Sequence, residues 1–204
     1  MNGRDARDRA LLAACPVIGM PRFGPPEPLR AGQRMLLAAN GVFVEYRNPW
    51  LYARLSVGMM APGLRLPYGD ATTCVRLAFG TIPRDLLDAF VAVARRAMPN
   101  EVAGGLIFDP RSGGLRLSIH DSLDASPASV RYRAQSLEAH ELLAVDLHSH
   151  GRLPPCWSTV DDADDQGVRI CGVFGNLDRD EPTARLRLAF NGIFLDLPSP
   201  WQEA

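Results

Sequence analysis

Leu142-Leu-Ala-Val-Asp-Leu147 runs straight into His148-Ser149-His150, and beyond Gly151 to Trp157 come Ser158 and, three positions on, Asp161. The apolar run is short and bounded by polar residues, which predicts a buried strand. In extended backbone, residues i and i+2 point to the same side, so both imidazoles face one point in space. The segment from Gly151 to Val160 reads as a loop followed by a helix start. Ser158 stands at the N-cap and Asp161 at N3, a version of the capping box, while Asp162, Asp164 and Asp165 suit a helix N-terminus. Asp161 is thereby expected to swing back as a third ligand beside His148 and His150. Two neutral imidazoles and one carboxylate suit zinc, and three protein ligands leave a fourth position for water, the pattern of a catalytic site.

Outward from this stretch the elements alternate. Thr81-Ile82-Pro83 opens a helix in which Leu86, Leu87, Phe90, Val91 and Ala94 recur at helical spacing down to Met98, and Pro99 ends it. Strands follow at about 102–108, 115–119 and 130–133, with Asp109-Pro-Arg-Ser-Gly-Gly114 as the first turn. A short polar helix at 137–141 leads into the central strand, and strands at about 168–173 and 184–189 complete the set. This order describes an α/β layered domain with a mixed sheet flanked by helices, over residues 76–204. Residues 1–75 form a β-rich N-terminal extension whose role the sequence leaves open. Residues 1–32, rich in Pro, Gly and Arg, read as a loosely packed leader. Order is expected from Arg34, where 35–39 and 42–46 flank Asn40-Gly41, a pair suited to the positive φ angles of a tight hairpin. A further strand is expected at 51–57.

Residues Arg185 to Trp201 repeat Arg34 to Trp50 at a fixed offset, with Arg, Leu, Ala, Asn, Gly, Phe, Pro and Trp recurring in register. Two readings stand side by side. Two hairpins have converged on one turn chemistry, or a duplicated hairpin places the N-terminal region beside the C-terminal strands of one sheet.

The downstream pattern resembles the JAB/MPN (JAMM) zinc metallopeptidases, whose signature is a glutamate followed far downstream by HxH, seven residues, serine, two residues and aspartate. His148, His150, Ser158 and Asp161 stand at that spacing, and Pro99-Asn-Glu-Val-Ala-Gly-Gly-Leu106 places Glu101 where the family has its glutamate. The resemblance implies a cytidine-deaminase-like layered fold, a Zn2+ cofactor held by His148, His150 and Asp161, Glu101 as general base and acid, and Ser158 as donor to the oxyanion. More closely, Asp146-Leu-His-Ser-His-Gly151, Trp157 to Asp165 and Gly172-Val-Phe-Gly-Asn-Leu-Asp178 are similar to the protein A family of the bacterial PRTRC systems. Those gene sets, borne largely on plasmids and other mobile elements, also encode a ThiF-like activating enzyme and a small ubiquitin-like protein. The implied activity is hydrolysis of a peptide or isopeptide bond at the C-terminus of a ubiquitin-like modifier. The alternative is a catalytically silent MPN-type scaffold with a bound zinc. Gly151 departs from the proline that follows the second histidine in many relatives, which loosens the loop and removes no ligand.

Composition narrows the remaining classes. The 204 residues include 22 Lys and Arg against 23 Asp and Glu, a net charge of -1, so there is no overall basic field for nucleic acid. No run of apolar residues is long enough to span a membrane. Leu12-Ala-Ala-Cys15 mimics a lipoprotein box, but the apolar run before it is short and Asp5 and Asp8 sit where positive charge belongs. Cys15, Cys74, Cys156 and Cys171 show no paired spacing, which fits a reducing cytoplasm. Cys156 is expected to be a buried small hydrophobe, His120 and His140 to be surface histidines, and Trp157 to pack the loop against the domain.

Overall fold

A computed structural model describes residues 5–127, 129–133, 135–165, 167–199 and 201. The chain divides into two compact units, Met1–Gly80 and Thr81–Ala204.

The first unit is built on a five-stranded sheet. Helix α1 (Ala6–Ala14) and strands β1 (Val17–Gly19), β2 (Gly32–Ala38), β3 (Gly41–Arg47), β4 (Leu51–Met59) and β5 (Cys74–Leu77) follow in chain order, and the strands lie in that same order across the sheet. Regular elements thus begin within the expected loosely packed leader, ahead of Arg34. Asp5 caps α1 by accepting from the Arg7 amide, and β1 pairs in parallel with β2, Val17 opposite Met35. The signal was faint because α1 buries no residue and β1 is three residues long. Residues 1–4 of the expected leader lie outside the described residues. Alternation along β2 and β4 turns Leu36, Ala38, Leu51, Ala53 and Leu55 into the core with Phe43 and Trp50.

The β2–β3 hairpin forms around Ala39-Asn40, but neither Asn40 nor Gly41 has a positive φ. Both residues serve other contacts. Asn40 exchanges two hydrogen bonds with the Ala71 backbone, at 2.8 and 3.0 Å, and a Cβ on Gly41 would stand 2.5 Å from the Gly58 carbonyl oxygen.

The second unit layers helix α2 (Arg84–Ala97) on a six-stranded mixed sheet. Strands β6 (Ala103–Asp109), β7 (Gly114–Ile119), β8 (Asp121–Ser126), β9 (Ser129–Arg133) and β10 (Leu142–Ser149) precede helix α3 (Thr159–Asp164), and β11 (Val168–Gly175), β12 (Thr183–Phe190) and β13 (Ile193–Leu197) follow it. The sheet order is β13-β12-β11-β10-β6-β7, with β8 and β9 as a separate hairpin. Pro83 is the N-cap of α2. The expected helix at 137–141 is absent: those residues form a turn, held by the Glu141 amide on the Glu138 carbonyl and the Glu138 amide on the Glu141 carboxylate. Strand β8 was not expected because its mostly polar, exposed residues carry no apolar alternation, and β5 because it is only four residues long.

Leu87, Phe90, Val91 and Ala94 form the buried stripe of α2. Phe90 meets Phe174 edge-on at 5.1 Å, and a Cβ on Gly104 would stand 3.4 Å from the Phe90 ring. Leu106, Leu147, Ile170 and Leu188 complete a core in which each wholly buried side chain contributes about 1.5–3 kcal/mol. The β12–β13 turn does use left-handed backbone, with Asn191 at φ 47° and Gly192 at 86°. The two related hairpins thus lie in separate sheets and differ in turn conformation, so they do not build one shared sheet. Pro200 of the second copy lies outside the described residues.

Candidate metal centre

Strand β10 brings Leu147 to the core, so His148, one residue on, faces the other side of the sheet. Its neighbours fix that position: β6 runs antiparallel on one flank, Ala103 opposite His148, and β11 runs parallel on the other, Val173 opposite His148. The wholly buried Ser149 ties the end of β10 to the start of β6. Its amide donates to the Val102 carbonyl at 3.0 Å, and its hydroxyl accepts the Val102 amide at 2.9 Å. Glu101 is thereby set two residues before the partner of His148, with its own amide donating to the Ser126 carbonyl of β8 at 2.9 Å.

The loop after β10 folds over the end of β11. The His150 amide donates to Phe174 at 2.7 Å, Asn176 donates to Leu153 and Leu177 to Gly151, both at 2.9 Å. Gly175 makes this possible, because a Cβ there would lie 2.2 Å from the Leu153 oxygen and 2.6 Å from the Pro155 nitrogen. Gly151 turns the chain at φ 55°, a left-handed conformation that proline, with φ fixed near −65°, cannot adopt. The departure from the proline of many relatives therefore has a backbone reason.

Ser158 caps α3 through a complete capping box. Its amide and hydroxyl donate to Asp161 Oδ2 at 2.6 and 2.7 Å, and the Asp161 amide donates back to Ser158 Oγ at 3.2 Å. Asp161 Oδ1 is left free to point at the histidines, 3.4 Å from His148 Nε2, and the two Nε2 atoms stand 3.2 Å apart. One ligand atom from each of His148, His150 and Asp161 lies within 4.8 Å of the others. A tetrahedral zinc with bonds of about 2.0–2.1 Å has ligand atoms about 3.3 Å apart, so the residues fit that ion.

Burial decides the protonation states. It pushes His148 down to about 4, against the pull of the Asp161 carboxylate, so the imidazole is neutral and has a lone pair for a metal. Burial opposes ionisation of Asp161 as well, but the hydrogen bonds from Ser158 outweigh it and hold the carboxyl below its ordinary value. Glu101, 8% exposed, is raised to about 7, first by burial and then by the charge of Asp161. A carboxyl near 7 can both take and return a proton at neutral pH.

Arg187 did not stand out in the sequence as a functional residue. It is 3% exposed on β12, opposite Cys171, and its Nε and Nη2 donate to Asp165 at 3.1 and 2.6 Å while Nη1 donates to Asp162 at 2.6 Å. Its guanidinium carbon lies 4.0 Å from the centroids of both Trp157 and Phe194. One side chain thus holds both the residue before the cap and the end of α3. Asp162 and Asp165 do more than favour a helix dipole: they bind this cation. The signal available in sequence was the acidic run itself, which needs a counter-charge, and an arginine between the apolar Leu186 and Leu188.

The other expectations divide. Trp157 does pack, edge-on to His148 at 6.2 Å. Cys156 is exposed, contrary to expectation, because the loop turns it outward; its sulfur lies 3.8 Å from His150 Nδ1. His120 is half-buried and stacks on Tyr132 at 4.6 Å, also unlike a surface histidine. His140 lies 3.5 Å from Asp109. Among the described residues no helix is long and apolar enough to cross a membrane.

Comparison with known proteins adds the family. A search of curated proteins gave no match. Residues 5–78 match a domain of unknown function, DUF2016. The solution structure of protein DSY2949 from Desulfitobacterium hafniense is similar at 18% identity, covering 57% of this chain and 88% of its own, with a TM-score of 0.45. Residues 83–189, more than half of the sequence and the whole of the site from Glu101 to Arg187, match the model of the prokaryotic homologs of the JAB domain, and the chain belongs to that family.

Proposed function

We propose that this protein is a zinc-dependent metallopeptidase that hydrolyses a peptide or isopeptide bond at the C-terminus of a ubiquitin-like modifier. The observation that carries the reading is the buried Glu101 carboxyl, raised to about 7, within electrostatic reach of the Asp161 ligand. A scaffold whose zinc were structural would have no use for a costly buried acid beside it. His148, His150 and Asp161 hold the ion, which when bound supplies Lewis-acid activation of water and of the scissile carbonyl. Glu101 accepts the proton of the attacking water and delivers it to the leaving amine. The Ser158 hydroxyl lies beside the ligands with its proton on Asp161 Oδ2, and it donates to the oxyanion that develops on the carbonyl oxygen by turning away from that carboxylate. The similarity to PRTRC protein A supports a cytoplasmic mobile-element setting, with a ubiquitin-like protein as substrate and a ThiF-like activating enzyme as partner.

The test is turnover of the zinc-loaded full chain on a ubiquitin-like protein extended at its C-terminus, wild type against Glu101→Gln at matched zinc content. Loss of the base should lower the rate by at least ~10²-fold. Equal rates, or no hydrolysis by the wild type of any ubiquitin-like fusion, would turn the reading to a silent scaffold.

A further inference from the structure

The sheet of the first unit carries two adjacent rows of charge that are treated differently. In one row Arg34, Glu45 and Arg54 lie directly opposite one another on β2, β3 and β4. Glu45, 2% exposed, accepts from Arg34 at 2.5 Å, from Arg54 at 3.3 Å and from the Tyr52 hydroxyl. That row has an internal acid. In the next row Arg47, Tyr52 and Arg76 lie opposite one another on β3, β4 and β5. The guanidinium carbons of Arg47 and Arg76 stand 5.2 and 5.7 Å from the Tyr52 ring centroid, both side chains are exposed, and neither enters any ion pair found among the described residues.

Aromatic contact gathers the two cations around one ring, and their row contains no acid to neutralise them. The ring between them is fixed, because the Tyr52 hydroxyl is bound to Glu45 and accepts from Arg54 at 2.9 Å. Beside the row lies a hollow of about 150 Å³, walled by Arg47, Asn48, Tyr52 and Arg76 together with residues 49–51 and 77–78, and no carboxylate lines it. Asn48 shapes its rim by accepting the Trp50 and Leu51 amides at 3.0 and 2.7 Å. Such a volume is below the roughly 300 Å³ at which pockets take drug-sized ligands, so it suits a single small group. Two guanidinium forks match the geometry and double charge of a phosphate.

We infer that Arg47, Tyr52 and Arg76 form a binding site for a phosphate group, free or as a small monoester, on the unit that matches DUF2016. The experiment is titration of the isotope-labelled full chain with inorganic phosphate, with glycerol phosphate and with a single-stranded oligonucleotide, at constant ionic strength, followed by the Arg47 and Arg76 Nε and Tyr52 ring resonances. Inorganic phosphate and the monoester should each produce saturable shifts at all three residues. Tighter binding of the monoester would make it the physiological form, and tighter binding of free phosphate the reverse. Arg47→Gln and Arg76→Gln should each weaken binding at least ~10-fold, and the double variant should abolish it with an unchanged melting temperature. Linear shifts alike in wild type and double variant would overturn the site. Oligonucleotide binding that is lost in the same variants, without saturation by either small phosphate, would overturn the ligand.

Discussion

Asp161 divides its carboxylate between two partners: Oδ2 receives both protons of Ser158, and Oδ1 lies 3.4 Å from His148 Nε2. A helix cap therefore aims a metal ligand. The ligand is held before any ion arrives, which lowers the ordering cost of binding it. One zinc per chain is expected. Asp161→Asn should weaken zinc at least ~10-fold, because a neutral amide lacks the charge that holds a cation, and Ser158→Ala should cost about 1 kcal/mol of cap stability. Chelator competition measures the first and denaturant melting the second. Full occupancy in a His148→Ala, His150→Ala double variant would show the ion to be elsewhere.

Glu101 makes the zinc-free protein sensitive to pH. Its carboxyl is raised from 4.5 to about 7, so the folded state binds the proton more tightly than the unfolded state. The contribution of this one group is fully present below about 4.5 and is lost as pH climbs through about 7. Glu101→Gln removes this loss, and the zinc-free variant should melt above wild type at pH 8 and close to it at pH 4. A variant that melts lower at both would show that the carboxyl forms a stabilising contact.

Arg187 is expected to hold the ligand helix. Arg187→Met leaves Asp165 buried without its cation, a loss on the order of 3 kcal/mol, and Arg187→Lys should recover only part of it because a point charge cannot serve Asp162 and Asp165 together. Both variants should bind zinc more weakly than wild type. Unaltered zinc affinity in a folded Arg187→Lys protein would confine the residue to packing.

At Gly175 a methyl group has no room. Gly175→Ala pushes against the Leu153 oxygen at 2.2 Å, so the loop must lift from the end of β11. A cost of roughly 1–3 kcal/mol and a loosened His150 are expected, read as a lower melting temperature and faster zinc release.

Every metal ligand and Glu101 lie in the second compact unit. A chain of residues 81–204 alone is expected to fold and bind zinc, checked by circular dichroism and metal analysis. A chain that is unfolded alone would show that the first unit is needed for stability.

How far the sequence could be read follows from where its physics is local. The i, i+2 histidines and the Ser158–Asp161 cap depend on a few neighbouring residues, so their geometry was legible, as was α2 from its apolar stripe. Arg187 depends on the register of β11 with β12 and on where α3 ends, neither of which spacing alone reveals. Asn40-Gly41 and Asn191-Gly192 look alike in sequence, but contacts with Ala71 and Gly58 draw the first pair away from left-handed backbone. Strand β1 is stabilised by its neighbour β2 and carried too few residues to declare itself.

The parallel pairing of β10 with β11 has a consequence for how such a molecule can change. Both strands run the same way, so the chain between them must return across the sheet, and that return holds His150, Cys156, Trp157, Ser158 and Asp161. Its length is not set by the ladder on either side. Insertions between Gly151 and Trp157 would reshape the approach to the metal while leaving the strands and Glu101 where they are. The crossover is thus a replaceable rim on a socket framed by the strands, and a change at the rim needs no change of fold.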